Sequence, residues 1–203
     1  ASPVLAGPDW IETNDAGSTL GTAQAPSGLV GSINTISGVL QGGTLLVGDY
    51  EDCYIIRIAN PSTFSCTISN ANFNAQLFLF NISLPGGAYG LLANDDQAAG
   101  NNKPRFQNFS TDGTGVLVDL PGDYMIGVTG FNNDPLSLTG PIFNQVTPIE
   151  VSGPDGVGGF NRHIGWTGGG EFGNYVITLT GAEFPSFPSP GTLPLVAFGG
   201  LVL

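Results

Sequence analysis

The sequence predicts an all-β protein, folded as a single jelly-roll-like antiparallel β-sandwich. Of its 203 residues 32 are Gly and 15 are Pro, so the chain is rich in turn formers and poor in helix formers. Hydrophobic residues make up 41% of the chain, which is enough to bury a core. Short runs with apolar or β-branched residues at alternate positions recur between Gly, Pro, Asn and Asp. Together these observations indicate short strands joined by many turns.

Composition divides the chain into three parts. Residues 1–28 are polar and lack strand periodicity, which predicts an extended N-terminal arm or loop. Residues 29–183 form the predicted sandwich, and within them 131–173 is a Gly- and Asn-rich insertion with little periodicity. Residues 184–203 are a linker followed by an apolar tail.

Seven runs carry the strand pattern, and the turn residues between them predict hairpins. Pro85-Gly86-Gly87 connects the third run to the fourth, and Pro121-Gly122-Asp123 connects the fifth to the sixth. The predicted strands are 52–59, 63–69, 76–82, 88–93, 114–120, 123–130 and 174–181.

Two cysteines lie in the first two of these runs. With a hairpin centred near residues 59 and 60, Cys53 would face Cys66 across the strands, close enough for a disulfide. A disulfide implies an oxidising compartment. The alternative is a pair of buried free thiols.

The charge balance excludes some partners. The net charge is −12, with 16 acids against the four bases Arg57, Lys103, Arg105 and Arg162, so the chain would repel nucleic acid and anionic lipid. It begins at Ala1 with no charged and apolar leader, as a mature secreted protein would. We therefore expect a secreted protein at the cell surface.

Five short motifs occur in an order that resembles the bacterial pre-peptidase C-terminal domain family. They begin with Gly48-Asp-Tyr-Glu-Asp52 and end with Gly173-Asn-Tyr-Val-Ile-Thr-Leu-Thr-Gly181. Between them lie Gln76-Leu-Phe-Leu-Phe80, Leu92-Ala-Asn-Asp-Asp96 and Pro121-Gly-Asp-Tyr-Met-Ile-Gly-Val128. The resemblance implies a jelly-roll-like sandwich over residues 40–181. The insertion before the last strand and the cysteine pair depart from the family's pattern.

The C-terminal tail is the most apolar segment. It resembles the start of a PEP-CTERM sorting signal, without the basic cluster that ends such signals, and this resemblance implies export to the cell surface. A membrane helix needs about 20 apolar residues, so the tail is too short to span a bilayer. We expect it to pack on a neighbouring subunit through Leu193, Leu195, Val196, Phe198, Leu201, Val202 and Leu203. The alternatives are that the tail folds back as an edge strand of its own sandwich, or that it contacts lipid.

Two acidic clusters are candidates for Ca²⁺, which prefers hard oxygen ligands. One comprises Asp9, Glu12, Asn14 and Asp15 in the N-terminal arm, and the other is Asn94, Asp95 and Asp96 at a turn. The alternative for both is ordinary turn chemistry, in which Asp and Asn bond their own backbone.

Catalytic signals are weak. His163 is the only histidine and has no nucleophile motif near it, and one imidazole with two cysteines offers too few ligands for zinc. We therefore expect a protein that is not an enzyme.

Five aromatic residues are candidates for a face on which a glycan stacks. They are Trp10, Trp166, Tyr50, Tyr89 and Phe160. The alternative is that these rings belong to the core.

The sequence predicts a secreted structural protein, a subunit of an extracellular filament or surface assembly that binds copies of itself through the tail. The alternative is a calcium- or glycan-binding accessory module of an exported surface protein.

Overall fold

Nearly all regular structure in this protein is β. The computed structural model describes residues 9–27, 30–43 and 48–185. Apart from a 3-10 turn at Pro61–Thr63, the regular elements of these residues are strands. They are β1 (Trp10–Ile11), β2 (Thr35–Val39), β3 (Glu51–Ile58), β4 (Ser65–Ala71), β5 (Ala75–Asn81), β6 (Tyr89–Asn94), β7 (Arg105–Phe106), β8 (Gly122–Gly130), β9 (Pro135–Ser137), β10 (Gly140–Pro141), β11 (His163–Trp166), β12 (Asn174–Thr180) and β13 (Ala182–Glu183).

Two five-stranded sheets form the sandwich. The first sheet has the order β1-β2-β12-β4-β7, and the second has the order β13-β3-β8-β5-β6. Their strand pairs are antiparallel except for β1 with β2. The prediction of an all-β sandwich is confirmed, and so is the hairpin of β5 with β6 around Pro85-Gly86-Gly87.

The main core lies between the two sheets. Successive side chains of a strand point to opposite faces, so Tyr54 and Ile56 of β3 face this core while Cys53 and Ile55 face away from it. Ile177 of β12 contributes from the first sheet. These side chains are almost completely shielded from solvent.

A second core covers the outer face of the second sheet. Phe78 and Phe80 of β5 point into it, and Phe143 and Trp166 of the insertion pack on them. The ring centroids of Phe78 and Trp166 are 5.4 Å apart. Ala23, from the described N-terminal segment 9–27, also belongs to this core. Because both faces of β5 are buried, its sequence is an almost continuous apolar run rather than a strict alternation.

The insertion 131–173 is therefore a cover with its own small sheet. Its strands have the order β10-β9-β11 and are antiparallel. Tyr89 of β6 pairs with Arg162 in a single bridge, and Ala93 pairs with Ser152 in another, so the cover is joined to the edge of the second sheet.

The predicted hairpin of 52–59 with 63–69 is wrong. β3 belongs to the second sheet and β4 to the first, and the turn at Pro61–Thr63 carries the chain from one to the other. A Pro-containing turn signal marks a reversal but does not determine whether the next strand pairs with the last one or crosses the sandwich.

The predicted disulfide is wrong for the same reason. Cys53 faces the second core and Cys66 faces the main core, and both are buried free thiols. Cys53 lies opposite Gly127 in β8, whereas Cys66 lies between Leu179 and Phe106.

The run 114–120 is also not a strand. Leu117 makes one isolated bridge with Phe109, and Leu117 and Leu120 are exposed. β8 begins at Gly122 and pairs with β3 and β5 instead of with this run. Alternating apolar residues predicted a strand here, but no neighbouring strand covers the exposed pair.

The tail lies outside the described residues, and so does its expected subunit contact. The part of the chain that the structure describes contains no apolar helix of membrane-spanning length.

Free thiols give a direct test of the cysteine assignment. Alkylation of the denatured protein without reductant should add two adducts, because Cys53 and Cys66 are not joined. The native protein should react slowly, because burial raises the pKa of both thiols and keeps them protonated. Intact mass measures both states, and a denatured protein that is labelled only after reduction would restore the disulfide.

Candidate metal centre

Three carboxylates from two distant parts of the chain meet at one end of the sandwich. One oxygen from each of Asp15, Asp49 and Asp52 lies within 4.8 Å of the other two. Asp15 comes from the N-terminal segment, Asp49 from the loop before β3, and Asp52 from β3 itself. We call these three residues the acidic site. Among the described residues, it is the one group of three acids, histidines or cysteines whose ligand atoms lie close enough together to hold a metal ion.

Asp52 is the buried member of the acidic site. It lies two residues before Tyr54 on β3, so its side chain points to the same inner face, and it is fully shielded from solvent. Its Oδ2 accepts a hydrogen bond from Tyr175 Oη at 2.6 Å, and the hydroxyls of Tyr54 and Tyr175 are 2.6 Å apart. Gly38 makes room for this pair, because a Cβ there would collide with both hydroxyls. Asp52 Oδ1 is buried and has no hydrogen-bond partner.

Asp49 is fixed by the backbone of the preceding loop. Its Oδ2 accepts a hydrogen bond from the Gln41 N–H at 3.0 Å, and its main chain exchanges two hydrogen bonds with Gly42. Its Oδ1 is buried without a partner, like that of Asp52. In both Asp49 and Asp52, one carboxylate oxygen therefore accepts a hydrogen bond and the other has no partner.

Asp15 is the exposed member. Its Oδ1 accepts a hydrogen bond from the Gly17 N–H at 2.5 Å. The Gly17 carbonyl in turn accepts one from the Cys53 N–H at 2.9 Å, which fastens this segment alongside β3. A cleft of about 330 Å³, lined partly by Asp15 and Asp49, connects the site with solvent.

Electrostatic repulsion is strong at this end of the molecule. Burial, reinforced by Glu12, Asp49 and Asp15, raises the pKa of Asp52 to about 8. Burial is also the leading cause that raises the pKa values of Glu12, Asp49 and Glu51. Among the described residues, no cationic side chain contributes to these shifts.

The acidic site has the donor set of a calcium centre. Ca²⁺ binds oxygens at roughly 2.3–2.6 Å, so two ligands on opposite sides of the ion are about 4.6–5.2 Å apart. The three carboxylate oxygens lie within 4.8 Å of one another, so none of the pairs is too far apart to share one ion. The unpartnered oxygens of Asp49 and Asp52 are the ligands that fit a bound cation. Ca²⁺ tolerates irregular geometry better than Mg²⁺, which favours it for a site assembled from loops.

The sequence identified only part of this centre. The structure brings Asp15 into it, whereas the Asp9 carboxylate caps the Asn34 and Thr35 N–H groups. The Glu12 carboxylate accepts hydrogen bonds from the Ala16 and Val39 N–H groups, near enough to raise the pKa of Asp52.

Asn14 is exposed and has a left-handed backbone, with φ of 61°. Sequence reasoning did not include Asp49 and Asp52 among the candidate ligands. Their spacing of three residues at the start of a buried strand was the available signal.

The second predicted cluster does not form a single ligand set. The Asn94 amide is fully used, since Nδ2 donates to the carbonyls of Asp96, Pro148 and Glu150. Its Oδ1 accepts from the Arg105 N–H at 2.7 Å. Asn94 is therefore a structural residue that holds the turn.

The five rings proposed for glycan stacking do not share one face. Trp166 lies in the second core, and its Nε1 donates to the Ser18 carbonyl at 2.6 Å. Trp10 packs against the main core, and its Nε1 donates to Gln24. Tyr50 contacts Phe172 at 6.1 Å between ring centroids. Only the remaining two, Tyr89 and Phe160, line a common cleft.

His163 lies in the second core with Phe80 and Trp166, at 5.1 and 4.8 Å between ring centroids. Burial lowers its pKa to about 4, so it is neutral at pH 7. The structure places this histidine inside the protein, where it has a packing role.

The chain is similar to a solved structure, the pre-peptidase C-terminal domain of a collagenase from Bacillus anthracis. The identity is 14%, the similarity covers 72% of this chain and 89% of that one, and the TM-score is 0.35. No protein-family model and no curated protein matches the chain. The fold and the candidate site rest on this chain's own strands and carboxylates.

The raised pKa of Asp52 predicts how stability depends on pH when no metal is bound. The carboxyl has a pKa of about 8 when folded and an ordinary value of 3.8, so between these values the folded state holds more protons. The free energy of unfolding therefore falls as the pH rises from 4 to 8. Thermal unfolding in chelator should show this fall, and Asp52→Asn should make it shallower.

Asp119→Asn is the matched control for that measurement. Asp119 is exposed and lies outside the acidic site, so its variant should keep the wild-type pH dependence. An Asp52→Asn profile that is parallel to the wild-type one would contradict the assignment of the slope to Asp52.

Proposed function

We propose that this chain is a calcium-binding β-sandwich module of an exported protein, with Ca²⁺ bound at the acidic site. The observation that carries the proposal is the pair of buried carboxylate oxygens without partners, one on Asp49 and one on Asp52, close to a third carboxylate on Asp15. Export supports the choice of ion, because extracellular Ca²⁺ is abundant enough to fill sites with Kd values of about 10⁻⁴–10⁻³ M.

The proposed ion would fasten the N-terminal segment to the sandwich. Asp15 belongs to that segment, whereas Asp52 belongs to a central strand of the second sheet and is tied through Tyr175 to the first sheet. Burial, together with repulsion among the acids, raises their pKa values, and a bound cation would relieve that repulsion. The ion would therefore order residues 9–27 and stabilise the fold at the same time.

Calcium titration tests this proposal. At a calcium concentration one hundred times Kd, a bound ion stabilises a protein by about 2.7 kcal/mol, which for this chain length raises Tm by roughly 5–10 °C. Asp49→Asn and Asp52→Asn should each abolish most of this rise, because each removes a ligand charge while keeping the side-chain shape. Differential scanning calorimetry with calcium or chelator measures the shift.

Asp119→Asn should keep the full calcium response. Calcium should also stabilise the wild type more at pH 8 than at pH 5, because the ion binds the deprotonated form of Asp52. A wild-type Tm that does not change with calcium at either pH would refute the calcium proposal.

A second candidate function, assembly into a filament or surface layer, is favoured by an exposed apolar patch on the insertion. Leu138, Val157 and Phe160 are 86%, 79% and 96% exposed. The Thr139 hydroxyl donates to the Val157 carbonyl and accepts from the Asn161 amide, so the loops that carry the patch lie together. The occupant we propose is the apolar tail of a second copy, since the two surfaces are both apolar.

Deletion of residues 188–203 and the substitution Phe160→Ser should each reduce this self-association. Negative-stain electron microscopy and analytical ultracentrifugation measure it, with Leu117→Ser as a control at another exposed apolar position. Assembly that survives the deletion would remove the tail from the contact. Wild-type protein that stays monomeric at high concentration would remove the assembly role.

A further inference from the structure

A row of polar side chains crosses the outer face of the second sheet at the end where the acidic site lies. In the strand register Glu51 lies opposite Thr129, and Thr129 lies opposite Gln76. Asn94 lies opposite Leu77, so Asp95, the next residue, continues the row beside Gln76. We call Glu51, Thr129, Gln76 and Asp95 the outer row. The two rows that follow it on the same face are apolar and belong to the second core.

Three members of the outer row are buried and have polar atoms without partners. Thr129 Oγ1, Gln76 Oε1 and Asp95 Oδ1 are all shielded from solvent and make no hydrogen bond. The exposed fractions of these residues are 0%, 4% and 6%. Such groups are costly in a folded protein unless a ligand, an ion or an ordered water completes them.

The insertion places a further carboxylate above this row. Gln76 Nε2 donates to Asp134 Oδ1 at 3.2 Å and to Gln145 Oε1 at 3.3 Å, and this fixes the Gln76 amide against the cover. Asp134 is close enough to Asp95 to raise its pKa. Asp134 and Gln145 also line a cleft of about 440 Å³, which gives the row access to solvent.

From this arrangement we infer a second divalent-cation site between the second sheet and the insertion. Its ligands for Ca²⁺ are Asp95, Asp134 and the side-chain oxygen Oε1 of Gln76. All three are hard oxygen donors, and two are carboxylates. Thr129 Oγ1 lies beside Gln76 and offers an oxygen to the ion or to a water bound to it. This site is separate from the acidic site, which faces the main core.

Cation binding explains the charge distribution better than water alone. Asp95 is buried beside Gln76 in the outer row, and Asp134 accepts a hydrogen bond from the same Gln76 amide, so the two carboxylates lie close to each other. A water molecule would satisfy the hydrogen-bonding capacity of Gln76 and Thr129 but would leave the two acids repelling each other. A divalent cation satisfies both.

The second site should be weaker than the acidic site. Calcium affinity follows the number of ligand charges, and this site offers two principal carboxylates where the acidic site offers three. Its ion would join the insertion to the sheet, because Asp134 lies on the cover and the other two ligands lie on β5 and after β6. Calcium would therefore control the attachment of the cover.

The experiment is a calcium titration of the full chain by isothermal titration calorimetry, with the ion count checked by native mass spectrometry. Wild-type protein should bind two ions, the weaker one saturating below about 10 mM calcium. Asp95→Asn should lose only the weaker ion, and Asp49→Asn should lose only the tighter one. Gln76→Met, which removes the amide oxygen at similar volume, should weaken the second event at least ten-fold.

Limited proteolysis of residues 131–173 provides a second readout. Calcium should slow cleavage of the insertion in the wild type and in Asp49→Asn, but not in Asp95→Asn. Asp119→Asn should behave as wild type in both assays.

The outcomes separate this site from the proposed function. A single ion that is lost in Asp49→Asn and kept in Asp95→Asn overturns the second site and leaves the acidic site standing. A single ion with the opposite dependence overturns the acidic site alone, and no bound ion overturns both. An ordered water between Gln76 and Asp95 in crystals grown with calcium would also overturn the second site.

Discussion

The burial of the second sheet on both faces is the constraint on which the rest of this structure depends. Its inward side chains pack against the first sheet, and its outward ones, such as Phe78 and Phe80, need a separate cover. Burying one large apolar side chain contributes roughly 1.5–3 kcal/mol, so an exposed outer face would sacrifice a large share of the stability of a domain. The N-terminal segment and the insertion supply that cover, which explains why neither is a free loop.

The same burial creates the two polar sites. Where β3, β5 and β8 begin or end, the apolar rows give way to polar ones, yet the covers still bury Asp52, Thr129 and Gln76. Asp52 lies on the inner face at this end of the sheet, and Gln76 lies on the outer face. The two proposed cation sites therefore lie on opposite faces of the second sheet, at the same end of its strands. Each joins the sheet to a segment that is distant in the chain, the first to residues 9–27 and the second to residues 131–173.

If both proposed sites bind calcium, the ion would have a mechanical role. A sandwich with few charged side chains has few ion pairs to fasten its covers, and none of its four bases is among the residues that form the two sites. Cations bound at this end of the sheet would take the place of ion pairs. The attachment of the covers would then depend on the calcium concentration around the protein. A module of that kind keeps its core in either state and changes the order of its surface, including the exposed apolar patch around Phe160.

The sequence by itself determined the all-β class, the approximate positions of six of its strands and the hairpin of β5 with β6, because alternation and turn chemistry are local properties. It also identified Asp15 and Asp95 as candidate ligands. Only the tertiary structure decided that Cys53 and Cys66 face different cores, because a turn signal does not say which sheet the next strand joins. It also decided that Asp15 meets Asp49 and Asp52, since contacts between residues far apart in the chain follow from how the sheets and covers pack.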